Sequence, residues 1–203
     1  MNSYNVDCIK MTQNELRKKL KEKTVGIAGC GGLGSNAAIA LSRSGVGSFV
    51  IVDFDRVEES NLNRQYYFRE QIGKKKVEAL SINIFKIDRS INIEAHAIKM
   101  KPHDVKTLFG KCDIILEAFD VADAKMMLVE SVMEQLPQIP IIVGNGMAGI
   151  GGFELLKIIK WAENVYVCGD GISEVSENLH PLAPRVAIVA NMQANLALEL
   201  LLK

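Results

Sequence analysis

Three groups of residues in this chain have the types and spacing needed to handle phosphate. The first is Gly29–Cys30–Gly31–Gly32–Leu33–Gly34, where Gly29, Gly31 and Gly34 satisfy the G-x-G-x-x-G spacing. Glycine there lets the backbone turn tightly and approach phosphates closely, and the free amides of a following helix complete an anion cradle. The second is Asp53, 24 residues after Gly29, where a carboxylate accepts hydrogen bonds from ribose hydroxyls. The third runs from Asp55 through Asn61, Asn63, Arg64 and Gln65 to Lys74, Lys75 and Lys76. The first two announce a nucleotide without distinguishing NAD, FAD, S-adenosylmethionine or ATP.

The third group narrows the choice. A nicotinamide enzyme has no need for an arginine and a lysine here. Formation of an acyl-adenylate does need them. An ionised carboxylate requires no general base, and the barrier comes from bringing one anion to another and from charge growing on departing pyrophosphate. Arginine, lysine and Mg²⁺ counter that charge, and an Asn or Gln amide orients the reacting oxygens. Lys74–Lys76 would otherwise be a solvated helix start, an odd place for three cations because the dipole disfavours them there.

The elements that must hold these groups are legible from periodicity. Thr12–Glu15 forms a capping box for a helix through Glu22, with Leu16 and Leu20 on one face. Thr24–Ala28 reads as a buried strand, Leu33–Ser44 as a helix and Ser48–Asp53 as a second strand ending on the acid. The pattern continues with a helix at Lys75–Asp88, strands at Ile93–Ala97 and Cys112–Ala118, a helix at Ala122–Leu136 and a strand at Ile141–Gly144. That alternation predicts an α/β, Rossmann-like doubly wound sheet, mainly parallel, with helices on both faces. Beyond Gly144 the rhythm changes to strands at Gly152–Ile159 and Asn164–Cys168, predicting antiparallel strands toward the C-terminus. A final helix, Arg185–Leu202, is apolar over most of its circumference and must be buried against the sheet or a second subunit. The expected organisation is a single domain, 1–203, with an N-terminal helix (1–22), a nucleotide-binding core (23–144) and an antiparallel edge with the last helix (145–203).

Lys plus Arg equals Asp plus Glu at 24 each, which offers no electrostatic case for nucleic acid or an anionic membrane. The polar start at Met1–Lys10 lacks a signal-peptide pattern, no apolar run is expected to span a bilayer, and the four cysteines are dispersed with no C-x-x-C pair. A reduced, cytoplasmic protein is expected.

GCGGLGS (Gly29–Ser35), VDFD (Val52–Asp55), SNLNRQ (Ser60–Gln65), QIGKKKVE (Gln71–Glu78) and the Asp120 segment together resemble the ThiF/MoeB/HesA family, relatives of the ubiquitin-activating enzymes. The similarity runs from about Lys23 to Ala124 and more loosely to APRV (Ala183–Val186) and the last helix. In length the chain most resembles ThiF-type adenylyltransferases of the thiamine sulfur carrier ThiS. The resemblance implies ATP-dependent adenylation of a ubiquitin-fold carrier's C-terminal glycine in thiamine biosynthesis, by a homodimer. It places Gly29, Gly31, Gly32, Leu33 and Gly34 on the ATP phosphates and Asp53 on the ribose. Arg64 and Lys76 match the phosphate-binding pair, flanked by Asp55, Asn61 and Gln65. Asp120 matches the aspartate that handles Mg²⁺, although it would also suit the N-cap of the following helix.

The chain departs from the family pattern in three ways. It lacks the N-terminal R-Y-x-R-Q segment, leaving Arg17 as the nearest substitute for an arginine finger. It lacks paired C-x-x-C motifs, so no zinc is expected. Cys168, before a glycine-rich turn, either serves as a thiol after adenylation or is a small strand-end residue, the latter being favoured. Gly144–Gly152 either guides a carrier's tail or forms a tight loop. A nicotinamide oxidoreductase is the alternative that the glycine loop and Asp53 alone would allow; molybdopterin-carrier and tRNA-modifying members are the alternatives inside the family.

Overall fold

The computed structural model describes residues 10–203; Cys8 and most of the polar N-terminal stretch lie outside them. The order is α1 (Gln13–Lys21), β1 (Thr24–Ala28), α2 (Gly32–Ser44), β2 (Ser48–Val52), α3 (Lys76–Phe85), β3 (Asn92–His96), α4 (Val105–Phe109), β4 (Ile114–Glu117), α5 (Ala122–Gln135), β5 (Ile141–Gly144), β6 (Lys157–Ala162), β7 (Val165–Gly169) and α6 (Ala183–Leu202). Short 3₁₀ turns at Glu59–Asn61 and Arg69–Gln71 punctuate the long β2–α3 connection.

The strands form one seven-stranded sheet in the order β3-β2-β1-β4-β5-β7-β6, in which only the edge pair β6–β7 is antiparallel. The chain builds outward from β1 on one side through β2 and β3, then returns to β1's other side with β4. This reversal opens a crevice at the carboxyl ends of β1 and β4, the place where such sheets receive ligands.

The inner strands alternate their side chains between two apolar layers, as period-2 geometry requires, while the edge strands β3 and β6 are largely exposed. Phe49 and Ile51 of β2 enter one core with Ile27, Leu41 and Leu80, while Val50 and Val52 enter the other with Phe109, Ile115, Leu128 and Val132. The capping box at Thr12 is present, with Thr12 accepting from the Glu15 amide and the Glu15 carboxylate accepting from the Thr12 amide at 2.9 Å. The expected strand at Gly152–Ile159 is displaced. Gly151 and Gly152 take φ of +73° and +57°, which breaks extended backbone, and a 3₁₀ turn at Phe153–Leu155 delays β6 to Lys157. The five-residue α4 lies outside the expected elements, being too short to show a period.

The apolar circumference of α6 is covered in part within the chain. Val186, Val189, Ala190, Ala194 and Ala197 are buried against α2, whose Ala37 and Ala38 permit a close crossing. By length and composition α6 could cross a membrane, contrary to the expectation from its polar interruptions, yet half of that window is buried in the fold. It also buries Gln193, whose amide donates to the carbonyls of Glu117 (2.9 Å) and Ile142 (3.0 Å), tying α6 beneath the crevice.

Candidate active site

The glycine loop is shaped by two close approaches. Gly29 has φ +97°, and a Cβ there would lie 2.6 Å from the Ala118 carbonyl oxygen at the end of β4. A Cβ on Gly34 would lie 1.8 Å from the Gly29 carbonyl oxygen. Gly31 is different, with nothing nearer than the Gln65 Nε2 at 3.8 Å. It is also the N-cap of α2, and no side chain caps that helix. The first amides of α2 are thus left to face the crevice, where the helix dipole favours an anion.

Asp53 stands just past β2, almost fully buried. Its Oδ2 accepts from the Cys30 amide at 2.7 Å and its Oδ1 from the Asp55 amide at 2.8 Å. Burial pushes its pKa up, opposed by the Lys76 cation and these two amides. Its first task is to shape the loop; each oxygen keeps a lone pair for a further donor. Lys76 opens α3 with its side chain only 8% exposed, and its ammonium donates to Asp55 Oδ2 at 2.8 Å. The remaining lysines divide: Lys75 pairs loosely with Glu78 at 3.8 Å, and Lys74 is exposed.

Within SNLNRQ, Asn61 turns its amide inward to accept from the Glu58 backbone at 3.1 Å. Arg64 bonds its own segment, at the Ser60 carbonyl (3.1 Å) and Asn63 (2.8 Å), and has no carboxylate partner among the described residues. Gln65 is buried beside the loop, and its Oε1 has no hydrogen-bond partner among the described residues. The segment is fastened to α2 twice. Asn36 donates to the carbonyls of Gly32 (2.7 Å) and Arg64 (3.0 Å), and Ser35 donates to Gly31 (2.6 Å) while accepting from the Tyr66 amide (2.9 Å). Ser35, Asn36 and Tyr67, whose hydroxyl meets the Cys30 carbonyl at 2.6 Å, carry no motif signal beyond the Ser35 that closes GCGGLGS.

Asp120 is exposed beyond β4. The N-cap of α5 is Val121, with no side-chain cap bond, so the capping role expected of Asp120 is not the one it takes. Its segment is held from below by Glu117, which sequence inspection missed because it sits in an apolar strand. The buried Glu117 carboxylate accepts from the Phe119 amide at 2.6 Å and from Lys125 at 2.9 Å, and Lys125 also donates to the Gly144 carbonyl at 2.9 Å. Burial pushes the Glu117 pKa up and the Lys125 charge opposes it. Among the described residues no three His, Cys, Asp or Glu side chains gather as a metal set. One carboxylate, as Asp120 offers, suits a cation that arrives with its oxygen ligands on a triphosphate.

Other candidates lie elsewhere. Arg17 packs against Gly45 at the far end of the 13-residue α2, about 20 Å from the glycine loop of its own chain. Cys168 is fully buried in β7, and burial pushes its thiol up to about 12, so it is a protonated core residue at neutral pH. Gly144–Gly152 is a tight loop, with Gly146, Gly149, Gly151 and Gly152 at positive φ. Arg185 at the start of α6 pins it by donating to the Gly151 carbonyl and the Asp170 carboxylate.

That clamp has a measurable pH signature. Although burial raises it, Asp170 is held at about 2 by the amides of Ser173 and Ile172, the Ser173 side chain and Arg185. A depressed carboxylate stabilises the fold above its unfolded value near 4 and loses that contribution as pH falls through 2. Asp170→Asn is expected to cost about 2 kcal/mol at pH 7, with the deficit shrinking to about a third of that at pH 2.5. Urea unfolding at both pH values checks it, and equal stabilities at pH 7 would refute it.

An uncapped α2 start, a buried lysine and, among the described residues, an arginine with no carboxylate partner thus lie on the segments around the glycine loop, with Asp120 exposed beyond β4. The chain matches the ThiF family over residues 4–203. It belongs to that family. Among curated ThiF-family relatives, it is 33% identical over 120 residues to ubiquitin-like modifier-activating enzyme 5 of Caenorhabditis elegans, covering 54% of this chain and 29% of that one. It is 29% identical over 174 residues to Probable adenylyltransferase/sulfurtransferase MoeZ of Mycobacterium tuberculosis, covering 85% and 42%. The chain therefore spans less than half the length of these relatives. Among solved structures, E. coli tRNA N6-threonylcarbamoyladenosine dehydratase TcdA in complex with ATP superposes with a TM-score of 0.83 at 18% identity, covering 92% of this chain and 88% of that one. A likeness at that identity establishes the Rossmann-like ThiF fold.

Proposed function

We propose that this chain binds MgATP in the crevice and adenylates the C-terminal glycine carboxylate of a ubiquitin-fold sulfur carrier of the ThiS kind, in thiamine biosynthesis, as a cytoplasmic homodimer. The observation that carries the reading is positive charge beside the uncapped N-terminus of α2: Arg64, with no carboxylate partner among the described residues, and Lys76, buried on the half-exposed Asp55. A nicotinamide would leave that charge without a task. The carrier carboxylate attacks the α-phosphorus, the bond to the β-phosphate oxygen breaks, and pyrophosphate departs with the electron pair. Lys76 and Arg64 stabilise charge on the phosphates, while the α2 amides and Gln65 orient them. Asp120 would hold Mg²⁺, which neutralises charge on the leaving pyrophosphate.

Incorporation of labelled pyrophosphate into ATP, with and without ThiS, tests the reading. ThiS-stimulated exchange is expected. No stimulation, together with tight NADH binding, would replace it with an oxidoreductase.

The carrier needs a surface at the crevice end of the sheet. Ile150, Phe153 and Ile172, exposed by 89%, 74% and 75%, lie on the loops following β5 and β7 at that end. Solvated apolar side chains in such density mark a protein-binding surface. Phe153→Glu is expected to raise the KM for the carrier about tenfold or more, the loss of a buried aromatic contact, with ATP binding unchanged. An unaltered carrier KM would remove this surface from the reading. The homodimer is tested by light scattering at micromolar concentration, where a monomer would refute it.

A further inference from the structure

Cys30 is the one residue of the glycine loop gripped on both sides of its backbone by side chains distant in sequence. Its N–H donates to Asp53 Oδ2 at 2.7 Å, and its carbonyl accepts from the Tyr67 hydroxyl at 2.6 Å. Its own side chain is fully buried in the α2-side core with Tyr67, Val77 and Leu33. The next two residues, Gly31 and Gly32, lead into the uncapped first turn of α2. The orientation of the peptides flanking Cys30 therefore sets where those free amides point.

We propose that Tyr67 is a positioning residue for the nucleotide, closing with Asp53 a clamp on Cys30 that presents the α2 amides to the phosphates at a fixed angle. The proposal rests on the ATP reading above. The same hydroxyl lies 3.4 Å from the Lys76 carbonyl, so one phenol spans the loop that receives the phosphates and the helix start that carries their lysine. It has one hydrogen and two buried acceptors. The short contact to Cys30 takes it, and the longer one to Lys76 is left as a weak electrostatic contact. Burial, with Cys30 and Asp53 nearby, keeps the phenol protonated and available as a donor at all working pH values. Anchors on rigid elements matter because donors displaced by a fraction of an ångström lose most of their advantage to a bound anion.

Tyr67→Phe keeps the ring and deletes the donor, leaving the Cys30 carbonyl buried and unpaired. By isothermal titration the variant is expected to bind ATP about tenfold more weakly. In steady state the KM for ATP should rise by a similar factor, with the KM for the carrier unchanged and kcat at saturating ATP within about threefold. The double variant with Asp53→Asn should lose less than the product of the two single losses, because both grip one residue. Val46→Ala, in the same core at the far end of α2, supplies a fold-weakening control and should leave ATP affinity alone. Tyr67→Phe binding ATP within twofold of the wild type, or Val46→Ala losing as much, would overturn the clamp while leaving the adenylation reading standing. A wild type that binds no ATP would overturn both.

Discussion

Lys76→Ala should lower ATP–pyrophosphate exchange by about 10²–10³-fold, the usual cost of deleting one preorganised donor to developing charge. The fold should survive. Among the described residues the only side-chain partner of the lysine is Asp55, whose own side chain is 45% exposed and can return to water when the ammonium is removed. The asymmetry supplies an internal check. Asp55→Ala strands a buried ammonium with no other side-chain partner among the described residues, so it should cost more stability than Lys76→Ala while costing less activity when ATP is saturating. Arg64→Ala should fall between, at about 10–100-fold, because Arg64 is half-buried and, among the described residues, its guanidinium bonds only its own segment. Circular dichroism, thermal unfolding and exchange rates on the three variants decide the matter. Exchange within threefold of the wild type for Lys76→Ala would remove the lysine from the phosphate site.

Gly34→Ala should be as damaging by a different route. The added methyl would stand 1.8 Å from the Gly29 carbonyl oxygen and 2.9 Å from its carbon, both backbone atoms. Gly29 has nowhere to go, since its amide donates to the Val52 carbonyl at 2.8 Å and its far side abuts Ala118. Overpacking of this kind costs about 1–3 kcal/mol where the neighbours can shift and more where they are backbone. The expected outcome is a fall in melting temperature of several degrees and loss of ATP binding by about 100-fold or more. Gly31→Ala is the matched contrast. Its φ is −79° with ψ −144°, outside the helical and extended regions, but its nearest neighbour is a side-chain amide 3.8 Å away, so the apo fold should lose far less than in Gly34→Ala. A loss of ATP binding in Gly31→Ala larger than its loss of melting temperature then reports the ligand and not the loop. If Gly34→Ala folds and binds ATP like the wild type, the packing account of the loop fails.

The three groups of residues proposed to handle phosphate are recognisable from local signals. Glycine at a tight turn, acids at strand ends and a capping box are short-range devices, and their physical requirements fall within a few residues. β1 was predicted at its observed limits, Thr24–Ala28, and β5 at Ile141–Gly144, because continuous apolar runs bounded by glycine or proline leave few alternatives. Helix ends drifted by one to three residues, as at Lys75–Asp88 against the observed Lys76–Phe85, since the final turn depends on packing that period alone does not report. β6 shifted because two consecutive glycines chose left-handed backbone, a choice sequence permits and does not compel.

What sequence by itself determined was the chemistry on offer: a glycine loop, an acid, an arginine, a lysine and a further aspartate, in an order belonging to the ThiF family. What only the tertiary structure decided was how each group is spent. Asp53 faces two amides of its own chain, Lys76 is buried on Asp55, Gln65 keeps an oxygen unpaired among the described residues, and Cys168 is a neutral core thiol. It also decided that Glu117 and Lys125 brace the crevice floor and that α6 is covered in part by α2. The physical reason is common to all of them. Burial and hydrogen-bond partnership arise between residues far apart in sequence, and those two quantities, rather than residue type, set a side chain's charge, direction and freedom to meet a ligand.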